Sequence, residues 1–503
     1  MVDSYKSGQK DQMPEGMTSM FSYFESRGSK RKGYDKAALF LLQYFIMEYF
    51  STPITLEEVE EARELFEDSN EPFAYEDWKA LVIKHDGWLP LRIRAVPEGK
   101  FIPLSNPLFT VESTDEEFRW LPDWFETALC GEGWYGSTVM TQSYYLRKLI
   151  YEYLLKTSDN PDFEIQFKLH DFGARGASSR ETAAKGGAAH LAIFRGSDTM
   201  EGIKLIKDYY TTWKGVRKSI AATQHSTITA WGREHEEDAY RHMLNLYKGN
   251  GIFACVSDSW NIYNACANLW GGSLRQEVID SGALLVIRPD SGDPIRVLFG
   301  YADNEVIESN GKVYVKGAYK ISRDFFGKEV YGEHELGKEL IEGERRGVFG
   351  ILEDKFGVTV NSKGYKVLNY VRVIQGDGVN PDSIAEILEK LTELGYSTDC
   401  IAFGMGGALL QKVDRDVLKF AYKCSSATIN GEEVDVYKQP ITDSGKDSKK
   451  GRLDVVESLG VVRTVKLLDG AIEAPESIMR TVYLNGELLV KDTFLEIIER
   501  AKL

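Results

Sequence analysis

The sequence predicts an α/β protein: an irregular (β/α) barrel plus a mixed α+β domain built from N- and C-terminal segments. Three observations predict it. Seven short β-rich runs alternate with helical stretches, at 164–173, 190–198, 219–226, 252–259, 283–292, 370–378 and 400–407. These runs end in polar, charged or glycine residues, as in LLVIRPDSGDP (284–294). Residues before about 160 and after about 410 are mixed instead, with helical and β-like stretches in no fixed rhythm. Apolar runs alternating with helices mark parallel βαβ units. Seven units fit an eight-stranded barrel of irregular build, whose active site would lie at the C-terminal strand ends. An open doubly wound sheet is the alternative, with its ligand at a switch point.

The chain of 503 residues is too long for one ordinary core. The reading divides it into an N-terminal α+β domain (1–160), a catalytic barrel (161–410) with an insertion at about 295–360, and a C-terminal segment (411–503) that packs with the first domain. A net charge of −16 argues against a nucleic-acid binder, which needs a basic face. Five widely spaced cysteines, with no C-x-x-C pair, support neither a disulfide framework nor a zinc site. The polar start, MVDSYKSGQKDQMPEG, carries no signal-peptide apolar region, and AALFLLQYFIMEYF (37–50) is too short and too interrupted to span a bilayer. A cytoplasmic protein without membrane partners is expected.

In chain order, a buried helix is expected over 36–50 and an acidic helix, N-capped by Thr55, over 55–68. A β-rich patch follows at 88–104, then helix in 121–132 and 143–158. Between the β runs, 199–210 and 382–395 have helical amphipathicity. Near the end, Asn485-Gly486 signals a hairpin with a helix after it.

Chemistry gathers at the run ends. QGDG (375–378) and GMGGA (404–408) are glycine-rich turns after the last two strands, where barrels commonly bind phosphate; simple tight turns are the bland reading. Arg288 suits a phosphate clamp, while Asp290 and Asp377 suit Mg²⁺ or sugar hydroxyls; an Arg–Asp pair closing the rim is the alternative. His225 sits among hydroxyls and is either catalytic or structural, and His170 is a weaker candidate. HEEDAYRH (235–242) lacks the H-E-x-x-H spacing and reads as a solvated helix face. No P-loop and no G-x-S-x-G elbow occurs. KDSKKGR (446–452) is a basic exception in an acidic chain, suited to a polyphosphate or to open solvent.

The ordered blocks HDFGARGASSRETA, GSDT, HSTITAWG, VSDSWNIYNAC, RPDSGDP, RVIQGDGV, IAFGMGGALLQK and SKKGRL closely resemble the nicotinamide phosphoribosyltransferases, of the type II phosphoribosyltransferase family. DSYK and FSYFESRG near the start also fit, and the likeness is weakest over 29–160 and 295–360. The resemblance implies transfer of phosphoribosyl from phosphoribosyl pyrophosphate to nicotinamide, with Mg²⁺ and with ATP as co-substrate through a phosphohistidine. It also implies a homodimer with shared active sites.

Carried over by motif, Phe172 stacks on the pyridine ring, Tyr5 of the other subunit covers its far face, and Asp198 accepts from the carboxamide. Arg175, Arg288, Gly376, Asp377, Gly406 and Gly407 line the phosphoribosyl site beside Asp290. Ser219, Ser257 and Arg372 support that side. Arg415 and Lys423 bind phosphates from the partner subunit, Lys438 and Lys446 lie toward pyrophosphate or nucleotide, and His225 is phosphorylated. Two positions depart from the family pattern: Asn261 and Gln224 replace carboxylates expected near His225, which predicts weakened ATP coupling. The competing readings are a nicotinate phosphoribosyltransferase, told apart by Asp198, a non-catalytic binder on the same scaffold, and a barrel hydrolase.

Overall fold

A computed structural model describes residues 2–323, 328–442, 447–468 and 470–502. Six parallel strands form one curled ladder, in the order Leu169–Asp171, Ile401–Met405, Val371–Gln375, Leu284–Arg288, Ile252–Val256 and Ala221–Ala222. Single parallel bridges, Asp171 to Ser197 and Gly196 to Lys218, join its two edges through a seventh segment. Backbone bonds hold this seam: Asp171 N donates to Gly196 O at 3.1 Å and Lys218 N to Arg195 O at 2.8 Å. The ring therefore has seven parallel segments among the described residues, where eight strands were expected. Small and branched side chains fill its interior, with Ala254, Val286 and Ile374 buried against Ile220, Ile252, Ala402 and Phe172.

Three β runs are shorter than the sequence pattern suggests, and 219–226 keeps only Ala221–Ala222 as strand. In 190–198 the preceding helix, Arg180–Leu191, continues through His190, and only the seam residues extend. In 164–173 the strand is Leu169–Asp171, after two short helical turns. These last two runs are apolar, and a short apolar run does not separate strand from buried helix. The outer helices follow their local signals. Pro294–Phe299 and Pro381–Glu393 both begin with proline at the first turn, after side-chain caps from Asp293 and Asn380. Ile384, Ile387, Leu388 and Leu391, at spacings of three and four, turn the second helix onto the sheet.

The second body is a seven-stranded sheet ordered Glu432–Asp435, Phe420–Ile429, Met17–Ser26, Pro107–Ser113, Leu91–Ala95, Arg480–Leu484 and Glu487–Leu488, all antiparallel. N- and C-terminal segments alternate in it. Phe24 stacks between Phe109 and Phe420, with centroids 4.7 and 5.0 Å away. The hairpin at Asn485-Gly486 has positive φ at both residues, as a tight turn of this kind requires. One helix, Glu126–Thr157, belongs to both bodies: Ala128 and Leu129 enter the sheet core, Met140, Ile150 and Leu154 the barrel core.

Two expectations are corrected. Residues 36–50 are not one helix. Lys36–Ala38 pairs with Phe101–Pro103, Leu41 is left-handed, and only Leu42–Phe45 and the wider turn Ile46–Phe50 are helical. Strand pairing and side-chain bonds from Phe40 N to Ser137 Oγ override helix propensity there. The insertion is also narrower than 295–360. Pro294–Phe299 and Glu342–Phe356 pack into the barrel core. Only the three-stranded sheet between them, Val306–Ser309, Lys312–Arg323 and Glu329–Leu340, stands apart.

A buried ion pair and a buried carboxyl tie the termini to the rest. Arg94 and Asp454, 3 % and 0 % exposed, pair at 2.8 Å across the sheet body. Asp454→Ala leaves the buried Arg94 guanidinium with only the exposed Glu473 carboxylate, 3.5 Å away, an expected loss of about 3 kcal/mol, read as a lower midpoint in urea. Glu98 is buried where residue 43, Tyr210 and the C-terminal segment meet; Gln43 N and Tyr210 Oη donate to it at 2.7 and 2.9 Å. Burial pushes its carboxyl up to about 7, the two donors opposing and Asp492 reinforcing. The native state then holds this proton where the unfolded chain has released it. The stabilisation is full below the unfolded carboxylate range, near 4.5, and is lost as pH rises through about 7. Glu98→Gln is expected to flatten that decline in thermal melts between pH 4.5 and 7.

Candidate active site

The C-terminal strand ends meet at one mouth. After Leu169–Asp171, the Phe172 N–H donates to Met405 O at 3.0 Å, which lays the Phe172 ring across the neighbouring strand end. Gly404 makes room for it: a Cβ there would stand 2.0 Å from Phe172 Cε2. Gly376 is less tightly constrained: its Cβ would lie 2.9 Å from Asp290 Oδ1 and 3.8 Å from both Arg288 Cδ and Phe172 Cε2. One glycine thus marks where the ring, the guanidinium and the carboxylate converge. Gly406 adjoins the Phe172 carbonyl, and Gly407 approaches Gly176 at the next turn. Arg175 is exposed on that turn.

Arg288 Nη2 lies 3.7 Å from Asp290 Oδ2, a loose pair, and its Nε is buried without a partner. Burial raises the Asp290 carboxyl above the usual range; Arg288 and His225 oppose this, while Asp258 and Asp377 add to it. Asp290 and Asp377 are therefore close enough to feel each other, at the mouth of a site rich in oxygen donors. Among the described residues no cluster of three or more His, Cys, Asp or Glu could hold a metal alone. Mg²⁺ commonly binds through one or two carboxylates and completes its shell with substrate phosphates and water, and Asp290 with Asp377 fits that donor set.

His225 opens a short helix, and its Nε2 lies 3.0 Å from Asp258 Oδ1, with Nδ1 3.8 Å from Asp290 Oδ2. The other Asp258 oxygen accepts from Asp290 N at 3.0 Å and from Ser291 Oγ at 2.5 Å. One carboxylate therefore fixes the histidine and the RPDSG turn together. Asp258 thus gives His225 a carboxylate partner, although Asn261 and Gln224 carry none. Asn261 instead caps its own helix, accepting from Tyr263 N and Asn264 N, and Gln224 bonds Ser226 Oγ. The sequence reading missed Asp258, although VSDS placed it at a strand end beside the chosen Ser257.

Asp198 lies on the seam. Its N–H donates to Asp171 O at 2.9 Å, and its Oδ1 accepts from Ser219 Oγ at 2.7 Å. Beneath it Asp171 is fully buried and accepts from Gly173 N and Ser197 Oγ, so one carboxylate bonds both sides of the seam. Burial pushes the His170 imidazole down to about 4, which keeps this second histidine neutral.

Several expected site residues lie elsewhere. Ser257 is fully buried; its hydroxyl donates to Cys255 O and accepts from Trp270 Nε1, so it is a wall residue and not a phosphate ligand. Arg372 stands near the N-terminal start of its strand and donates to Leu368 O and Val371 O, at the opposite end of the barrel from the mouth. Arg415, Lys423 and Lys438 line a separate cavity of about 430 Å³ on the antiparallel body, with Arg27, Lys30 and Lys419. That cavity shares no lining residue with the mouth. Tyr5 is 61 % exposed on the N-terminal turn, which Lys6 pins to Asp123 and Glu126. Lys446 lies outside the described residues.

Residues 167–487 match the family model described as the nicotinate phosphoribosyltransferase (NAPRTase) family, and residues 1–93 match the nicotinamide phosphoribosyltransferase N-terminal domain. A nicotinamide phosphoribosyltransferase of Xanthomonas campestris pv. campestris is 44 % identical over 97 % of this chain and 94 % of its own length. One from Acinetobacter baylyi is 29 % identical over 99 % and 96 %. In fold, the chain is similar to a nicotinate-nucleotide pyrophosphorylase from Pyrococcus furiosus, with a TM-score of 0.57, 15 % identity, and 100 % and 93 % of the two chains covered. Human nicotinic acid phosphoribosyltransferase gives a TM-score of 0.52 at 13 % identity, covering 100 % and 92 %. With a mouth built from the family's own blocks and a model match over most of its length, this chain belongs to the nicotinate phosphoribosyltransferase family.

Proposed function

We propose that the protein transfers the phosphoribosyl group of phosphoribosyl pyrophosphate to nicotinamide, giving nicotinamide mononucleotide and pyrophosphate. The carrying observation is the convergence of Phe172, Arg288 and Asp290 on Gly376, with Asp198 on the adjoining seam. The bond from the ribose anomeric carbon to pyrophosphate breaks, and a bond to the pyridine nitrogen forms. Positive charge develops on the ribose and negative charge on the leaving group, so catalysis rests on positioning and electrostatics. Phe172 offers a face for the flat ring. Asp198 accepts from the carboxamide and repels the carboxylate of nicotinate. Arg288 takes phosphate oxygens, and the Gly406-Gly407 turn lets backbone N–H groups approach them.

Asp290 and Asp377 would hold Mg²⁺ together with substrate phosphates, and the ion would supply charge neutralisation for the leaving group. The phosphate-binding bases Arg415, Lys423 and Lys438 serve the partner's mouth in a homodimer, with Tyr5 covering the partner's base. Their separation from the mouth of their own chain supports this. His225 accepts a phosphoryl group from ATP, and its contacts with Asp258 and Asp290 favour coupling. All five cysteines are free thiols, which suits the cytoplasm. No helix among the described residues is long and apolar enough to cross a membrane.

The test is product formation by purified protein with phosphoribosyl pyrophosphate and Mg²⁺, offering nicotinamide or nicotinate, each with and without ATP. Nicotinamide mononucleotide, made faster with ATP, is the expected result. Product from nicotinate alone would move the assignment to the nicotinate enzyme. No product from either base would leave a binding protein on this scaffold.

A further inference from the structure

Arg217 has no role in the account so far, yet it faces the residue that reads the base. It lies in the loop WKGVRKS (213–219), between the helix Met200–Tyr209 and the strand Ala221–Ala222. The seam fixes this loop at Lys218, which bonds Arg195 O through its N–H and accepts from Ser197 N. In extended backbone, residues on either side of such a bridge point the same way. Arg217 and Ser219 accordingly both address Asp198. Ser219 Oγ donates to Oδ1 at 2.7 Å, and Arg217 Nη2 lies 3.9 Å from the same oxygen. Oδ2 accepts from no group among the described residues. Both partners fall on one oxygen and leave the other available to a ligand. The pairing is loose, and Arg217 Nε is buried without a partner, so the guanidinium has unused donors beside the base subsite. Asp198 is its one ion-pair partner among the described residues.

We propose that Arg217 is a specificity-determining residue of the base subsite, and this rests on the reading of that subsite given above. Opposite Asp198 the local charge is balanced. An amide is then chosen by the hydrogen bond to Asp198 as well as by the repulsion of a carboxylate, with Arg217 setting the balance between the two. When Asp198 is neutral, Arg217 becomes an unpaired cation at the place where the substituent of the ring sits, and it takes the carboxylate of nicotinate. Removing Arg217 from the wild-type site takes away one of the two groups that orient the Asp198 carboxylate and leaves Ser219 alone, which weakens nicotinamide binding more than turnover.

The experiment compares kcat and KM for nicotinamide and nicotinate in the wild type, Arg217→Met, Arg217→Lys, Asp198→Asn and the Asp198→Asn/Arg217→Met double variant. Arg217→Met is expected to raise the nicotinamide KM about tenfold with kcat within about threefold, and Arg217→Lys to restore most of it. Asp198→Asn is expected to raise nicotinate kcat/KM about tenfold or more, and the double variant to lose that gain. A double variant that uses nicotinate as well as Asp198→Asn does would overturn the proposal. So would an unchanged nicotinamide KM in Arg217→Met. Wild-type protein that forms no nicotinamide product would instead overturn the reading of the subsite, and this inference with it. Because the decisive readout is a ratio between two bases on one protein, a general loss of folded enzyme does not imitate it.

Discussion

Gly404→Ala is expected to lower kcat/KM for nicotinamide by about 10²-fold, the scale of a misplacement near 1 Å at a reacting group. The added Cβ would stand 2.0 Å from Cε2 and 2.2 Å from Cδ2 of Phe172, closer than carbon atoms can approach. The strand cannot yield easily, because Ile401–Met405 is paired on both sides, with Val371–Gln375 and with Leu169–Asp171. The ring must move, and the ring is the proposed platform for the base. Overpacking also costs stability, about 1–3 kcal/mol. Steady-state kinetics with a parallel melting curve separates the two effects. Gly404→Ala/Phe172→Leu should recover stability without recovering nicotinamide use. Normal KM and kcat in Gly404→Ala would show that the ring does not orient the base.

Asp258→Ala should be the most damaging change outside the substrate contacts. It removes the partner of His225 Nε2 and the acceptor for Asp290 N and Ser291 Oγ in one step. Each charge-assisted bond contributes about 1.5–3 kcal/mol, and a loss of kcat/KM of at least about 10²-fold is expected. The ATP effect should vanish with it, since the imidazole loses its closest acceptor. Asn261→Asp should change little, because Asn261 faces its own helix turn and not His225. Labelling with γ-³²P ATP checks both at once. A wild-type phosphohistidine yield in Asp258→Ala, or a strong gain in Asn261→Asp, would contradict this account.

The contrast between Asp258 and Asn261 shows where sequence reasoning stops. Strand ends, glycine turns and the order of motifs could be read directly, because the βα rhythm and turn chemistry are local properties. Arg288, Asp290 and Gly376 follow from them, while Phe172 and Asp198 came from the family resemblance alone. Orientation could not be read that way. Ser257 and Asp258 are neighbours, but one turns into the wall against Trp270 and the other reaches His225. Arg372 shares a strand with the QGDG turn yet stands at its far end. The weak segment 190–198 misled for a related reason: an apolar stretch satisfies a buried helix as well as a strand, and the choice was made by contacts such as His190 to Leu169 O and Gly196 O. Gly404 carried a signal, a glycine inside a strand, which marks close approach of another group.

The way the ring closes has a mechanical consequence. Six neighbours share continuous ladders, while the remaining closure depends on single bridges and the buried Asp171 carboxylate. Local opening follows the fewest hydrogen bonds, so amide exchange should be fastest along that line. Phe172, Asp198, Arg217 and Ser219 all lie on it or beside it. The compliance of the barrel is thereby concentrated at the proposed base subsite. The phosphate side, on the well-paired strands Leu284–Arg288, Val371–Gln375 and Ile401–Met405, stays stiff.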